Sequence, residues 1–283
     1  MKRRFDAAEA RLPDELARKN RENYDDAAGP VWQLIYESVH EGREFINLGG
    51  RRVLDEIAQR ARFGQTTRVL DLCAGQAAPA CYLAETYAAR VTAVEINPRQ
   101  AQRARANVTR RSSSIQQRVQ VVEADATRWR SGIRYDSVVS LDSLMLIAAI
   151  DGLLATAAVH LEPGGTFWAT TLCARAPLGD DLRRFAWDLD GMARLVTLDE
   201  EKQAMREAGF VDVDAEDRTA MAVDVSERID AALVRHRAVI VESVGDQEYD
   251  GWIEASRRYL DALNSGQLVY ALLRARRDSR RDI

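Results

Sequence analysis

Three carboxylates and one short turn carry most of the chemistry that can be read from this chain. Asp71 lies near the end of an apolar run, Val69 to Leu72, and Cys73, Ala74, Gly75, Gln76 and Ala77 follow it. A second run, Val91 to Val94, ends in Glu95, and a third, Val121-Val122-Glu123-Ala124, ends in Asp125. Strand, tight turn, helix, then a strand ending in an acid is the nucleotide-binding half of a doubly wound α/β sheet. The turn brings backbone close to a ligand, and the acid accepts hydrogen bonds from ribose hydroxyls. A turn that binds pyrophosphate needs three glycines. Those positions are Cys73, Gly75 and Ala77 here, so one glycine survives. Asp71 at the mouth of the turn repels phosphate and attracts an ammonium group.

S-adenosylmethionine has an ammonium, a ribose and an adenine, and no phosphate. At these residues the chain resembles the class I S-adenosylmethionine-dependent methyltransferases. Val69 to Ala77 is similar to their first motif, and Val94-Glu95-Ile96-Asn97-Pro98 to their acidic second motif. Further landmarks follow in family order: Asp125-Ala126 after the third strand, Tyr135 to Asp142 as the fourth, and Leu161-Glu162-Pro163-Gly164-Gly165-Thr166 as the turn before the fifth. The resemblance implies that Asp71, Cys73, Ala74, Gly75 and Ala77 hold the methionine end of the cofactor. Glu95, with Ile96 and Asn97, would take the ribose, and Asp125 with Ala126 the adenine. Ser140 and the segment Phe45, Ile46 and Gly49 complete the expected cofactor set.

The resemblance narrows before the first strand. Tyr36-Glu37 through Phe45-Ile46-Asn47-Leu48-Gly49-Gly50 is similar to phosphoethanolamine, glycine, sarcosine and dimethylglycine N-methyltransferases. In those enzymes a tyrosine on an N-terminal helix closes over the cofactor, and Tyr24 and Tyr36 are its candidates here. Phosphobase enzymes pair that tyrosine with a histidine where this chain has Leu146. Leucine cannot accept a proton or orient a phenol, which argues against phosphoethanolamine as acceptor. His40 is an available substitute, and Asp142 is expected to face the acceptor.

The elements that must position these residues can be traced along the chain. Pro13 opens a first helix, which Gly29-Pro30 ends as a hinge, and a second runs from Val31 to Val39. Gly49-Gly50 breaks the chain before a third helix, Arg52 to Ala61. From Val69 strands and helices alternate, which predicts α/β architecture: a doubly wound, mainly parallel, seven-stranded sheet. Residues 1–66 read as an N-terminal helical lid and 67–283 as the core. Helical insertions are expected near 177–193 and 216–266, the second with two helices, roughly 226–243 and 250–263. Added helices around the cleft suit a small acceptor rather than a polymer.

Composition agrees with an enzyme of small metabolites. The 283 residues carry a formal charge of −4, which does not suggest a nucleic-acid binder. Only three of the 40 basic residues are lysines (Lys2, Lys19 and Lys202), which reads as coding bias in a GC-rich bacterial genome. Three cysteines without metal-ligand spacing fit a reducing cytoplasm. No bound metal, nucleic acid or membrane is expected, and a homodimer is left open. Two other readings stay open beside methyl transfer. A nucleophile could attack the γ-carbon of the cofactor and release methylthioadenosine, giving a cyclase or lyase. The chain could also be a non-catalytic module that only binds the cofactor.

Overall fold

A computed structural model of the chain describes Arg18, residues 28–40 and residues 45–279. The first described helix is α1 (Ala28–Val39), followed by α2 (Gly50–Arg60). Then come β1 (Arg68–Leu72), α3 (Ala78–Tyr87), β2 (Arg90–Glu95), α4 (Pro98–Thr109), α5 (Ser113–Gln116), β3 (Val119–Glu123) and β4 (Tyr135–Leu141). A one-turn 3₁₀ helix, Leu144–Leu146, leads to α6 (Ile150–His160), β5 (Leu161–Ala174), α7 (Asp180–Asp190), α8 (Leu198–Glu207) and β6 (Phe210–Asp217). The chain ends with α9 (Thr219–Arg235), α10 (Arg237–Val244), α11 (Asp246–Asn264) and β7 (Leu268–Arg277).

The seven strands form one sheet in the order β3-β2-β1-β4-β5-β7-β6. All neighbours are parallel except β7, which runs antiparallel to both β5 and β6. The sheet is therefore the mainly parallel one expected, and its strand order reverses between β1 and β4. In open α/β sheets, ligands bind beyond the carboxyl ends of the strands at such a point.

Alternation along the strands builds two cores. Val69, Val91, Val139 and Trp168 face α2, α3 and α4, while Leu70, Leu72, Val138 and Phe167 face α6 and α8. Burial on both faces is why β1 and β2 read as near-continuous apolar runs. Across the first core face, Arg218 pairs with Glu56 and Glu216, and Arg60 with the same two acids, tying α2 to β6. These side chains are about a third exposed, so Arg218→Ala is expected to cost only about 1 kcal/mol in chemical denaturation.

Three features differ from the sequence expectation. Gly29-Pro30 does not end a helix: α1 begins at Ala28, and Pro30 sits in its first turn, where no intrahelical N–H is required. The preceding helix falls outside the described residues. The second insertion has three helices, because the chain breaks at His236 and again at Gly245, whose φ is +88°. Finally, α1 and α2 part company. Val31, Ile35 and Val39 of α1 pack on Val225, Ile229, Leu233 and Trp252 of α9 and α11, whereas α2 lies on the sheet. The first described helix thus forms one layer with the insertion between β6 and β7.

Candidate active site

Every second residue of the turn after β1 is left-handed: φ is +62° at Cys73, +53° at Gly75 and +59° at Ala77. Two of the three carry a Cβ, a strain of roughly 1–2 kcal/mol each. Glu95 offsets it. Its Oε2 accepts the Gly75 N–H at 2.8 Å and its Oε1 accepts the Asn97 N–H at 2.8 Å. The acid at the end of β2 therefore pins the turn. The Asn97 side chain caps α4 by accepting from the N–H groups of Arg99 and Gln100.

Asp71 lies beneath this turn and is 2 % exposed. Its Oδ2 is buried with no hydrogen-bond partner. Burial, and then the nearby Glu95 carboxylate, push its pKa up to about 8. A carboxylate in that state calls for a cation. The Cys73 thiol is pushed up by burial, Glu95 and Asp71, so it is no nucleophile. Asp125 is oriented by Thr127, whose N–H and hydroxyl donate to Oδ1 at 2.9 and 2.7 Å, and by Arg128 at 2.9 Å from Oδ2. Ile96, next to Glu95, is 57 % exposed, an apolar surface beside the acid. Ser140 donates to the Leu72 carbonyl at 3.2 Å and shares a 2.6 Å bond with Ser143. Ala74 and Ala126 are buried beside these groups.

The segment before α2 covers the turn. A Cβ built on Gly75 would stand 3.1 Å from Ile46 Cδ1, so Ile46 rests directly on the glycine. Phe45 is buried edge-on to Tyr82 and to His40. Gly49 has no room for a side chain: a Cβ would meet Val53 Cγ2 at 2.6 Å. Asn47 Oδ1 accepts the Gly50 N–H at 2.6 Å, and the Asn47 carbonyl lies 2.9 Å from His40 Nε2. His40 is thereby fixed in the segment, ring-stacked on Tyr36 at 6.1 Å, with its pKa lowered by burial. Tyr36 is half-buried between Trp32 and His40. Tyr24 lies outside the described residues.

Asp142 holds the covering segment to the sheet. It has a left-handed φ of +51°, and its carboxylate is engaged on three sides. Oδ2 accepts the Leu48 N–H at 2.6 Å, while Oδ1 accepts the hydroxyls of Thr170 at 2.5 Å and Tyr270 at 2.7 Å. Burial raises its pKa, and these three donors oppose the rise. Asp142 is a latch between the covering segment and the sheet. Leu48, Thr170 and Tyr270 were not among the residues expected from sequence. Nothing local marks them: Thr170 reaches Asp142 through the parallel pairing of β4 with β5, Tyr270 through the antiparallel pairing of β5 with β7, and Leu48 from the covering segment. Among the described residues no group of His, Cys, Asp and Glu could hold a metal, and no helix is long and apolar enough to cross a membrane.

Residues 42–215 match the methyltransferase domain family. The chain belongs to that family. Its relatives include the Arabidopsis thaliana phosphoethanolamine N-methyltransferase 1, 23 % identical over 87 % of this chain and 49 % of the relative. Another is the sarcosine/dimethylglycine N-methyltransferase of Halorhodospira halochloris, 24 % identical over 91 % of this chain and 94 % of the relative. The chain spans about half the length of the plant relatives it matches. Among solved structures, phosphoethanolamine N-methyltransferase 2 of Haemonchus contortus shares the fold with a TM-score of 0.79 at 20 % identity, over 94 % of this chain and 60 % of that one.

S-adenosylmethionine is the cofactor of this methyltransferase family, and the residues present fit it: the orphaned Asp71 oxygen suits its ammonium. The Glu95→Gln variant tests whether Glu95 also takes the ribose. The amide keeps one acceptor but loses charge, and S-adenosylhomocysteine affinity is expected to fall about tenfold by calorimetry. Unchanged affinity would place the ribose elsewhere.

Proposed function

We propose that the chain transfers a methyl group from S-adenosylmethionine to a small acceptor held in an enclosed pocket at the carboxyl edge of the sheet. The observation that carries the reading is the buried, unpartnered Asp71 Oδ2 below a turn pinned by Glu95. The bound cofactor supplies a methyl on a sulfonium, which is already electrophilic. The protein then has to position and desolvate rather than activate. Asp71 and the Cys73–Ala77 turn hold the aminobutyrate end, Glu95 the ribose, and Asp125 with Ala126 and Ile96 the adenine. Phe45, Ile46 and Gly49 cover the cofactor. Tyr24, Tyr36 and His40 belong to the covering layer on the acceptor side, and Asp142 acts through the Leu48 latch.

Enclosure is supported by how the insertions pack. Leu182 and Ala186 of α7, Ala222 of α9 and Leu263 of α11 meet Met145, Leu172 and Tyr270 near the ends of β4, β5 and β7. Leu146, Leu48 and Met221 line the same cluster half-buried. An apolar surround without a base favours an acceptor that arrives as its own nucleophile, and it disfavours phosphoethanolamine. We assign the chain to the cytoplasm on its reduced cysteines.

Mass spectrometry of products tests this. Incubation with methyl-labelled S-adenosylmethionine and a library of small amines, phenols and acids is expected to yield S-adenosylhomocysteine and one labelled acceptor. Methylthioadenosine from the cofactor alone would replace methyl transfer with attack on the γ-carbon. Binding without turnover on any member would leave a binding module.

A further inference from the structure

A half-open cleft of about 80 Å³ lies between the end of α1, the first turn of α2 and α9, lined by His40, Phe45, Leu48 and Gly49 of the covering segment. Its wall is apolar: Phe45 and Val225 are 2 % exposed, and Leu48 and Met221 are half-buried. Its rim is cationic, with Arg51 and Arg52 from α2 and Arg228 from α9. Among the described residues no carboxylate lines it. Asp224 and Asp55 stand behind the rim and offset part of its charge. Asp224 Oδ2 lies 2.9 Å from Arg228 Nη2, and Asp55 Oδ2 lies 3.8 Å from Arg51 Nε. Arg228 also donates to the Val39 carbonyl at 2.9 Å, so its guanidinium is anchored to both walls. Arg52 is exposed and pairs with no carboxylate among the described residues. The rim stands at the start of α2, where the first N–H groups of a helix favour negative charge.

Arginine forks recognise carboxylates and phosphates by paired hydrogen bonds. Apolar walls gain free energy only when a ligand covers them. Both conditions are met by one molecule with an anionic head and an apolar body. We propose that this cleft binds a small amphipathic anion, with its head on Arg52 and Arg228 and its body against Phe45, Leu48, Met221 and Val225. The cleft shares Phe45, Leu48, Gly49 and Met221 with the layer that covers the cofactor turn, while Arg51, Arg52 and Arg228 belong to it alone, and octanoate binding does not depend on the methyl-transfer reading.

Calorimetry on the full chain tests it with three probes: octanoate, inorganic phosphate and 1-hexanol. Octanoate is expected to bind saturably, and the other two at least tenfold more weakly, because each offers only half of the recognition. In Arg52→Glu the octanoate affinity should fall at least tenfold, and in Arg52→Gln by less. The charge change lies on an exposed helix surface, so both variants should show wild-type circular dichroism and melting. Met221→Gln should weaken octanoate and leave phosphate unchanged. No saturable octanoate binding to the wild-type chain would overturn the proposal. So would Arg52→Glu with unchanged octanoate affinity, or phosphate binding as tightly as octanoate.

Discussion

Asp71→Asn is expected to lower affinity for S-adenosylmethionine and S-adenosylhomocysteine about 100-fold, roughly 3 kcal/mol, while leaving the chain folded. The wild-type carboxyl is buried, its Oδ2 has no partner, and its pKa is pushed up to about 8. Pairing with an ammonium would remove that penalty, and an amide cannot do so. A proton linkage follows. Near pH 7 the cofactor-free carboxyl still holds its proton, and cofactor binding should expel it. Calorimetry in two buffers of different ionisation enthalpy reads that release, which Asp71→Asn should abolish.

The sign for stability is opposite to that of a salt-bridged acid. Between the unfolded-state value near 3.9 and the folded value of about 8, the unfolded chain has lost a proton that the folded chain keeps. Stability of the cofactor-free protein should therefore fall as pH rises through that window. Asp71→Asn should flatten that part of the profile. An unaltered profile would mean that Asp71 is not the strained group.

Asp142→Ala is expected to cost about 3–4 kcal/mol of stability in urea denaturation. It leaves the Leu48 N–H and the hydroxyls of Thr170 and Tyr270 without their common acceptor. Hydrogen exchange should rise across residues 45–50, because the latch alone joins Leu48 to the sheet edge by a charged hydrogen bond. Tyr270→Phe, which keeps the Leu48 and Thr170 bonds, should cost about 1 kcal/mol. Because the hydroxyl also takes a backbone hydrogen bond from Gly49, exchange at residues 45–50 should rise, but by less than in Asp142→Ala. Should exchange at 45–50 stay at the wild-type level in Asp142→Ala, the carboxylate would have no role in holding the cover down.

The parts of this site that were legible in the sequence are those encoded locally. Asp71, Glu95 and Asp125 each sit at or just past the end of an apolar run, and strand ends share one edge of a parallel sheet. Their spacing alone brings them together. The left-handed turn was legible as a family motif, although Cys73 and Ala77 stand where glycine would be unstrained. The latch was not legible. Leu48 is 94 residues from Asp142 and Tyr270 is 128, and they meet only because β7 inserts antiparallel beside β5 and the covering segment folds over the sheet edge. Asp142 was read as facing the acceptor because an acid after β4 invites that role, and its hold on Leu48, Thr170 and Tyr270 is a further role that the sequence does not mark. The break between α9 and α10 was invisible for a different reason. It falls at His236, which is neither glycine nor proline, and packing against α1 decides it. Gly29-Pro30 was misread because proline punctuates a helix at either end, and only the burial of Val31, Ile35 and Val39 tells which.

The central claim is that the cofactor sits on the turn between β1 and α3 with its ammonium on Asp71. A crystal structure of the chain with S-adenosylhomocysteine tests this most directly. The account predicts the ligand's amino nitrogen within hydrogen-bond distance of Asp71 Oδ2 and its ribose hydroxyls at Glu95. A ligand bound elsewhere, or one on the turn that leaves Asp71 Oδ2 without a partner, would contradict it.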